Sequence, residues 1–158
     1  MEPAIDIVHA ESDSEIAAVR QLFLEYEEWL GLDLCFQGFE EELSTLPGRY
    51  RSPEGRLYLA LVEGEAAGCV ALRRFGDGIC EMKRLYVRPG FRGLRLGASL
   101  VELLISTARG IGYSRLLLDT YPPKMEQAVR MYRSFGFEEV GPYYDNPNSE
   151  TLFMALEL

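Results

Sequence analysis

Apolar and polar positions along this chain repeat regularly enough to lay out its elements. "AIDIVHA", residues 4–10, alternates as a short strand does. In "SDSEIAAVRQLFLEYEEWLG" the apolar positions 16, 19, 22, 23, 26 and 30 recur at helical period; Ser12 and Glu15 stand at capping-box spacing, and Gly31 follows the last turn. "GFEEELSTL" is a shorter helical stretch that stops at Pro47. "RLYLALVE", a two-residue turn at "GE", and "AAGCVALRRF" read as a hairpin; "GDG" makes the next turn and "ICEMKRLYV" a third consecutive strand. Pro89 and Gly90 break that strand. Leu96, Leu100, Val101, Leu103, Leu104 and Ala108 then mark a helix ending near "GIG". "SRLLLDT" is a strand buried enough to lack alternation. "PKMEQAVRMYRSFG" is a helix with Pro123 near its start and Gly136 at its C-cap, and "FEEVGPYY" and "ETLFMALEL" are two last strands around "DNPN". The predicted order is βααβββαβαββ, one α/β domain over residues 1–158 around a mixed sheet.

Composition narrows the class. With 158 residues, 47% apolar and 26% charged, the chain reads as globular and long enough to bury a core. No apolar run approaches the ~18 residues a membrane helix needs. The first residues lack a basic start followed by an apolar stretch, so no signal peptide is expected and the cytoplasm is the default compartment. Cys35, Cys69 and Cys80 include no CxxC pair, which argues against a disulfide framework and against a metal site; small core residues are expected. The single histidine, His9, ends the first strand, so acid–base chemistry falls to Glu, Asp, Tyr, Cys or Lys.

Charge changes the picture more. The net charge is −9, yet Lys83, Arg84, Arg88, Arg92 and Arg95 crowd one segment with no acid among them. A nucleic-acid binder presents a broad basic face, which is not the pattern here. One compact basic site facing a small polyanion fits better. Strand, glycine-bearing turn and helix is a recurrent phosphate holder: the first helical turn has free N–H groups, and Gly93 and Gly97 admit ligand oxygens close to the backbone. Arg92 adds charge-assisted hydrogen bonds. Neither a P-loop GxxxxGK[ST] nor a dinucleotide fingerprint after a first βα turn is present. From the charges alone, a solvated arginine-rich turn accounts for the segment equally well.

The wider motif decides between them. "RLYVRPGFRGLRLGASL" supplies Val87, Pro89, Arg92, Gly93, Gly97 and Leu100, and "AVRMYRSFGF" supplies Ala128, Met131, Tyr132, Gly136 and Phe137. Together, separated by a strand, they resemble the GNAT superfamily of N-acetyltransferases over residues 57 to 140. The resemblance implies a GNAT-like α/β fold with a mixed, mostly antiparallel central sheet, flanking helices, and a splay between the strands at 79–87 and 114–120. It implies acetyl-CoA as cosubstrate. The pyrophosphate would lie on the N–H groups of Leu94, Arg95, Leu96, Gly97 and Ala98 beside Arg92 and Gly93, with pantetheine along Leu85, Tyr86 and Val87 and the thioester in the splay. The activity implied is transfer of acetyl to a primary amine of a small molecule or peptide by direct attack on the thioester. A catalytically silent acyl-CoA sensor of the same fold is the alternative. Homodimers are common in the family and carry over by analogy alone.

Two positions depart from the family pattern. Arg95 stands where a motif glycine is usual; at positive φ it would cost about 1 kcal/mol. A helical Arg95, with its guanidinium free to reach a CoA phosphate, is the expectation. Met125 stands where many members carry a cofactor-holding asparagine, so that contact is expected to be missing.

Acetyl transfer needs a deprotonated amine, a polarised carbonyl and a proton for the thiolate. Val87 is the candidate backbone donor to the carbonyl oxygen. Tyr132 matches the family's tyrosine near the CoA sulfur, the candidate acid. Glu81, eleven residues before Arg92, matches the base glutamate of the histone-type branch. Strand alternation groups Glu81 with Ile79, Lys83, Leu85 and Val87 unless a bulge intervenes, and a structural Glu81–Lys83 pair is the competing reading. Asp119 either meets the acceptor or caps the following helix; Glu25, Glu27 and Glu28 read as a solvated face. In the family the acceptor lies between the segments here written "EYEEWLGLDLCFQGF", "RRFGDG" and "PYYDNPNSE". Tyr26, Trp29, Phe36, Tyr143 and Tyr144 are candidates for its pocket wall or for plain core. The acidic chain favours a cationic amine, whereas Arg73 and Arg74 favour an acceptor that also bears a carboxylate.

Overall fold

The computed structural model describes residues 2–34 and 37–158; Cys35 and Phe36, expected above as a small core residue and a pocket wall, lie outside the described residues. The elements are β1 (Ile5–His9), α1 (Asp13–Leu30), α2 (Phe39–Thr45), β2 (Arg56–Val62), β3 (Glu65–Gly76), β4 (Ile79–Val87), α3 (Leu96–Ile111), β5 (Arg115–Thr120), α4 (Pro122–Ser134), β6 (Glu138–Val140) and β7 (Leu152–Glu157). This is the predicted order, with short 3₁₀ turns added at Gly48–Tyr50 and Pro89–Phe91. The sheet runs β1-β2-β3-β4-β5-β7-β6 and is antiparallel except between β4 and β5. One core lies against α3 and the end of α4 through Leu96, Leu100, Leu104, Leu116 and Met154. The other lies against α1 and α2 through Val19, Leu22, Phe23, Leu57 and Leu59. Among the described residues no helix is long and apolar enough to cross a membrane.

Local signals account for most boundaries. The capping box of α1 is formed: Ser12 Oγ accepts from the Glu15 N–H at 3.2 Å and Glu15 Oε1 accepts from the Ser12 N–H at 3.1 Å. The hairpin turn is centred on Glu63–Gly64, one residue earlier than predicted, because Val62 pairs with Glu65 and φ is +51° and +79° at the two central residues. β6 is shorter than the predicted 137–144. Gly141–Pro142 cannot continue the ladder, and the next two tyrosines turn their hydroxyls to Glu81 and Asp119.

Two irregularities of β4 shape the site. Gly68 and Cys69 pair with Val87 and Tyr86, but Ala71 pairs with Lys83, so β4 carries one extra residue, and Arg84 sits there at φ +61°. The bulge breaks the expected face: Glu81, Lys83 and Tyr86 point toward α1 and α2, while Leu85 and Val87 pack on the α3 side. The second irregularity is the expected splay. β4 and β5 pair only at Ile79–Arg115, Cys80–Leu116 and Glu81–Leu117, then diverge.

Candidate active site

The turn from β4 into α3 ends in unpaired donors. The first i→i−4 bond of α3 runs from the Ser99 N–H to the Arg95 carbonyl at 3.0 Å, and no side chain caps this end. The N–H groups of Leu96, Gly97 and Ala98 therefore face outward at the positive end of the helix dipole. Arg95 is the N-cap at φ +59°, not a helical residue as expected. The chain comes through Arg92, extended, and Gly93 at φ +96°, and it reverses into the helix only by a left-handed step at residue 95.

These donors open on a cleft of about 550 Å³. Arg92, Gly93, Arg95, Leu96, Gly97 and Ala98 line its mouth, and Leu85, Tyr86 and Val87 its β4 wall. Leu94, grouped with them from the sequence, instead packs half-buried on the α3-side core. The opposite wall is α4, with Lys124, Met125, Gln127, Met131 and Tyr132. Trp29 closes one side from α1, with the Arg92 guanidinium 5.3 Å over its ring. Arg88 donates its N–H to Ala67 on β3 at 2.8 Å, so Val87, one residue earlier, turns its N–H toward the open edge that β5 has left. The Val87 carbonyl points the same way and accepts from Arg92 Nε at 3.2 Å.

Tyr132, on the α4 wall, lines the same cleft as Val87. Its own carbonyl accepts the Phe137 N–H at 3.0 Å while the Gly136 N–H bonds Arg133, a Schellman motif that fixes the end of α4, with Gly136 one position past the C-cap. The ring packs edge-on against Phe137, and burial pushes the phenol well above its usual range, so it stays protonated.

The basic run disperses. Only Arg92 and Arg95 reach the cleft. Arg88 forms a fork to Glu25 at 2.9 and 2.8 Å, tying the turn to α1, so Glu25 is not part of a solvated face. Arg84 is 4% exposed and pairs with Glu42 at 3.0 and 3.2 Å, and Lys83 is equally buried. Both donate to Gln37 Oε1, at 2.7 and 3.1 Å. Desolvation lowers the Lys83 ammonium below its usual pKa, against the pull of Asp119 and Glu81.

Glu81 is 1% exposed. Arg73 donates to it at 2.9 Å and Tyr143 at 2.6 Å, while Lys83 stands 3.8 Å away. Its main ion-pair partner is thus Arg73 rather than Lys83. Asp119 caps no helix: it accepts the Tyr144 hydroxyl, lies 3.9 Å from Lys83, and borders a cavity of about 30 Å³ with Tyr26, Gln37, Arg84, Thr120 and Asn146. Tyr143 and Tyr144 close this polar cluster from the β6–β7 segment; Arg74 stays outside it with Asp77 at 2.6 Å. Gln37, Glu42 and Lys124 were missed from sequence. Lys124 alone left a local signal, as a cation in the first turn of a helix opening on two prolines. Burial pushes the Cys80 thiol up to about 12 and Cys69 higher still, which leaves both as core residues.

The Acetyltransferase (GNAT) family model matches residues 13–137. An uncharacterized N-acetyltransferase of Schizosaccharomyces pombe is 42% identical over 161 residues, covering 100% of this chain and 98% of its own. An acetyltransferase structure from Streptococcus agalactiae 2603 superimposes with a TM-score of 0.81 at 22% identity, covering 98% of both chains. The PaiA N-acetyltransferase of Thermoplasma acidophilum, solved in complex with coenzyme A, does so at 0.74 and 14% identity, over 98% of this chain and 99% of its own.

Proposed function

Because this chain belongs to the GNAT family of acetyltransferases, we propose that it moves the acetyl group of acetyl-CoA to a primary amine of a small molecule or peptide by direct attack on the thioester. The observation that carries this reading is one continuous cleft joining three features. They are the uncapped first turn of α3, the open β4 edge at Val87 and the protonated Tyr132 phenol. The residues present fit the cosubstrate: outward N–H groups with Arg92, Arg95 and Lys124 suit its phosphates, and the half-apolar walls suit its pantetheine arm.

When bound, acetyl-CoA supplies the activated acyl group. The Val87 N–H would hold the carbonyl oxygen and favour charge developing there. A C–N bond forms as the C–S bond breaks, and Tyr132 hydrogen-bonds the departing sulfur and passes it a proton. The amine must shed a proton too. Asp119 borders the small cavity on the acceptor side, so we assign it the role of taking that proton, directly or through one water. Glu81 then serves to hold Arg73 and Tyr143 in place. The acceptor enters between Tyr26, Gln37 and Asn146 beside Asp119, a lining that suits an amine with a nearby polar group.

The testing experiment is CoA release from acetyl-CoA across polyamines, aminoacyl compounds, amino acids and lysine peptides, run with the wild type and Tyr132→Phe. Acceptor-dependent release with kcat reduced in the variant and acetyl-CoA affinity retained supports the reading. Equal rates in both proteins return Tyr132 to a packing role.

A further inference from the structure

Among the described residues, Met125 alone lines both the 550 Å³ cleft and the 30 Å³ cavity on the acceptor side. That placement has a chemical meaning under the acetyl-transfer reading, on which this inference rests. The amine reaches the acyl carbon from one space while the sulfur stays in the other. The acyl group is therefore presented where the two spaces meet, and the side chain at that boundary is Met125.

Methionine is normally adaptable, with three rotatable bonds. Here it is pinned. Thr120, 4% exposed, donates its hydroxyl to Met125 Sδ at 3.2 Å, and Met125 itself is 9% exposed. Its N–H is held by the Tyr121 carbonyl at 3.0 Å. Its backbone leaves helical geometry, at φ −126° and ψ 36°, so the side chain is set by a local distortion of α4 rather than by the regular helix face. Beyond the thioether the narrow free space is bordered by polar groups, Asp119, Gln37 and Asn146. An alkyl extension entering there would strip water from polar groups and offer them nothing in return.

We infer that Met125, positioned by Thr120, limits the acyl group this chain accepts to acetyl. A longer acyl chain meets the pinned thioether, and behind it a polar lining that an alkyl group does not suit. The residue that departs from the family pattern thus acts as a specificity element.

Calorimetric titration of the full chain with acetyl-, propionyl- and butyryl-CoA tests this without knowledge of the acceptor. The wild type should bind butyryl-CoA roughly tenfold or more weakly than acetyl-CoA. Met125→Ala should bring the two within about threefold of each other, the ratio being read whatever absolute affinity the shortened cleft wall leaves. Thr120→Val, which keeps shape and removes the hydroxyl, should relax the ratio part of the way. A wild type that binds butyryl-CoA as well as acetyl-CoA overturns the inference. So does Met125→Ala with an unchanged ratio or, if that variant does not fold, Thr120→Val with an unchanged ratio. Wild-type protein that binds no acetyl-CoA overturns the proposed function, and the acyl limit with it.

Discussion

Arg95 holds φ +59° at a position where glycine would sit without strain, and its side chain lines the mouth of the cleft. Substituting glycine removes a left-handed cost of about 1–2 kcal/mol. Against that stands about 0.4–1 kcal/mol of added unfolded-state entropy. Arg95→Gly should therefore raise the melting temperature slightly while weakening acetyl-CoA binding, because a cation facing the phosphates is lost. Parallel melting and titration curves check both directions. The carboxylates separate by the same kind of reasoning. Asp119→Asn should lower kcat by about 10²-fold, most at low pH where the acceptor is an ammonium. Glu81→Gln should leave the pH profile superimposable on the wild type and lower stability by about 1–3 kcal/mol, since the Arg73 guanidinium loses its charged partner. The reverse pattern would return the base to Glu81.

α1 and the β4–α3 turn are joined by the Arg88–Glu25 fork, and this junction is pH-dependent. The hydrogen bond from Arg88 holds the Glu25 carboxyl below its usual 4.5, so the stabilisation is present above that value and lost as pH falls through the lower, folded-state pKa. Glu25→Gln should cost about 0.5–1 kcal/mol at pH 7, the range for a partly exposed pair. The gap between the two melting curves should close as the pH is taken below 4.5. What could be read from sequence divides at this scale as well. The capping box of α1, the glycine turn and the start of α3 are local, so neighbouring residues specify them. The bulge at Arg84 is not local. An arginine at positive φ has no sequence signature, and its conformation is secured by Glu42 of α2 and Gln37 just before it, both distant in sequence. The face of β4 that alternation predicted was inverted past that point for this reason.

Across the whole molecule the same contrast holds. The turn from β4 into α3 was legible because one continuous stretch builds it. The acceptor-side cluster was not, because Gln37, Glu42, Arg73, Lys83, Asp119 and Tyr144 come from α2 and its approach, β3, β4, β5 and the segment before β7. No spacing rule connects them. The five cations from Lys83 to Arg95 looked like one site and are three buried or bridged ion pairs plus two cleft residues, a division that burial decides.

The divergence of β4 from β5 has a further consequence. The ladder between β1–β4 and β5–β7 is only three residue pairs long, so the two parts of the sheet are expected to open as separate cooperative units above a shared core. A ligand spanning the cleft touches both, and it acts as a clasp across this seam. In hydrogen–deuterium exchange, acetyl-CoA should slow amides along β5 and α4 together with those of β4, well beyond the first turn of α3. Protection confined to that first turn would mean the seam is already rigid, and that the two parts move as one body with or without the ligand.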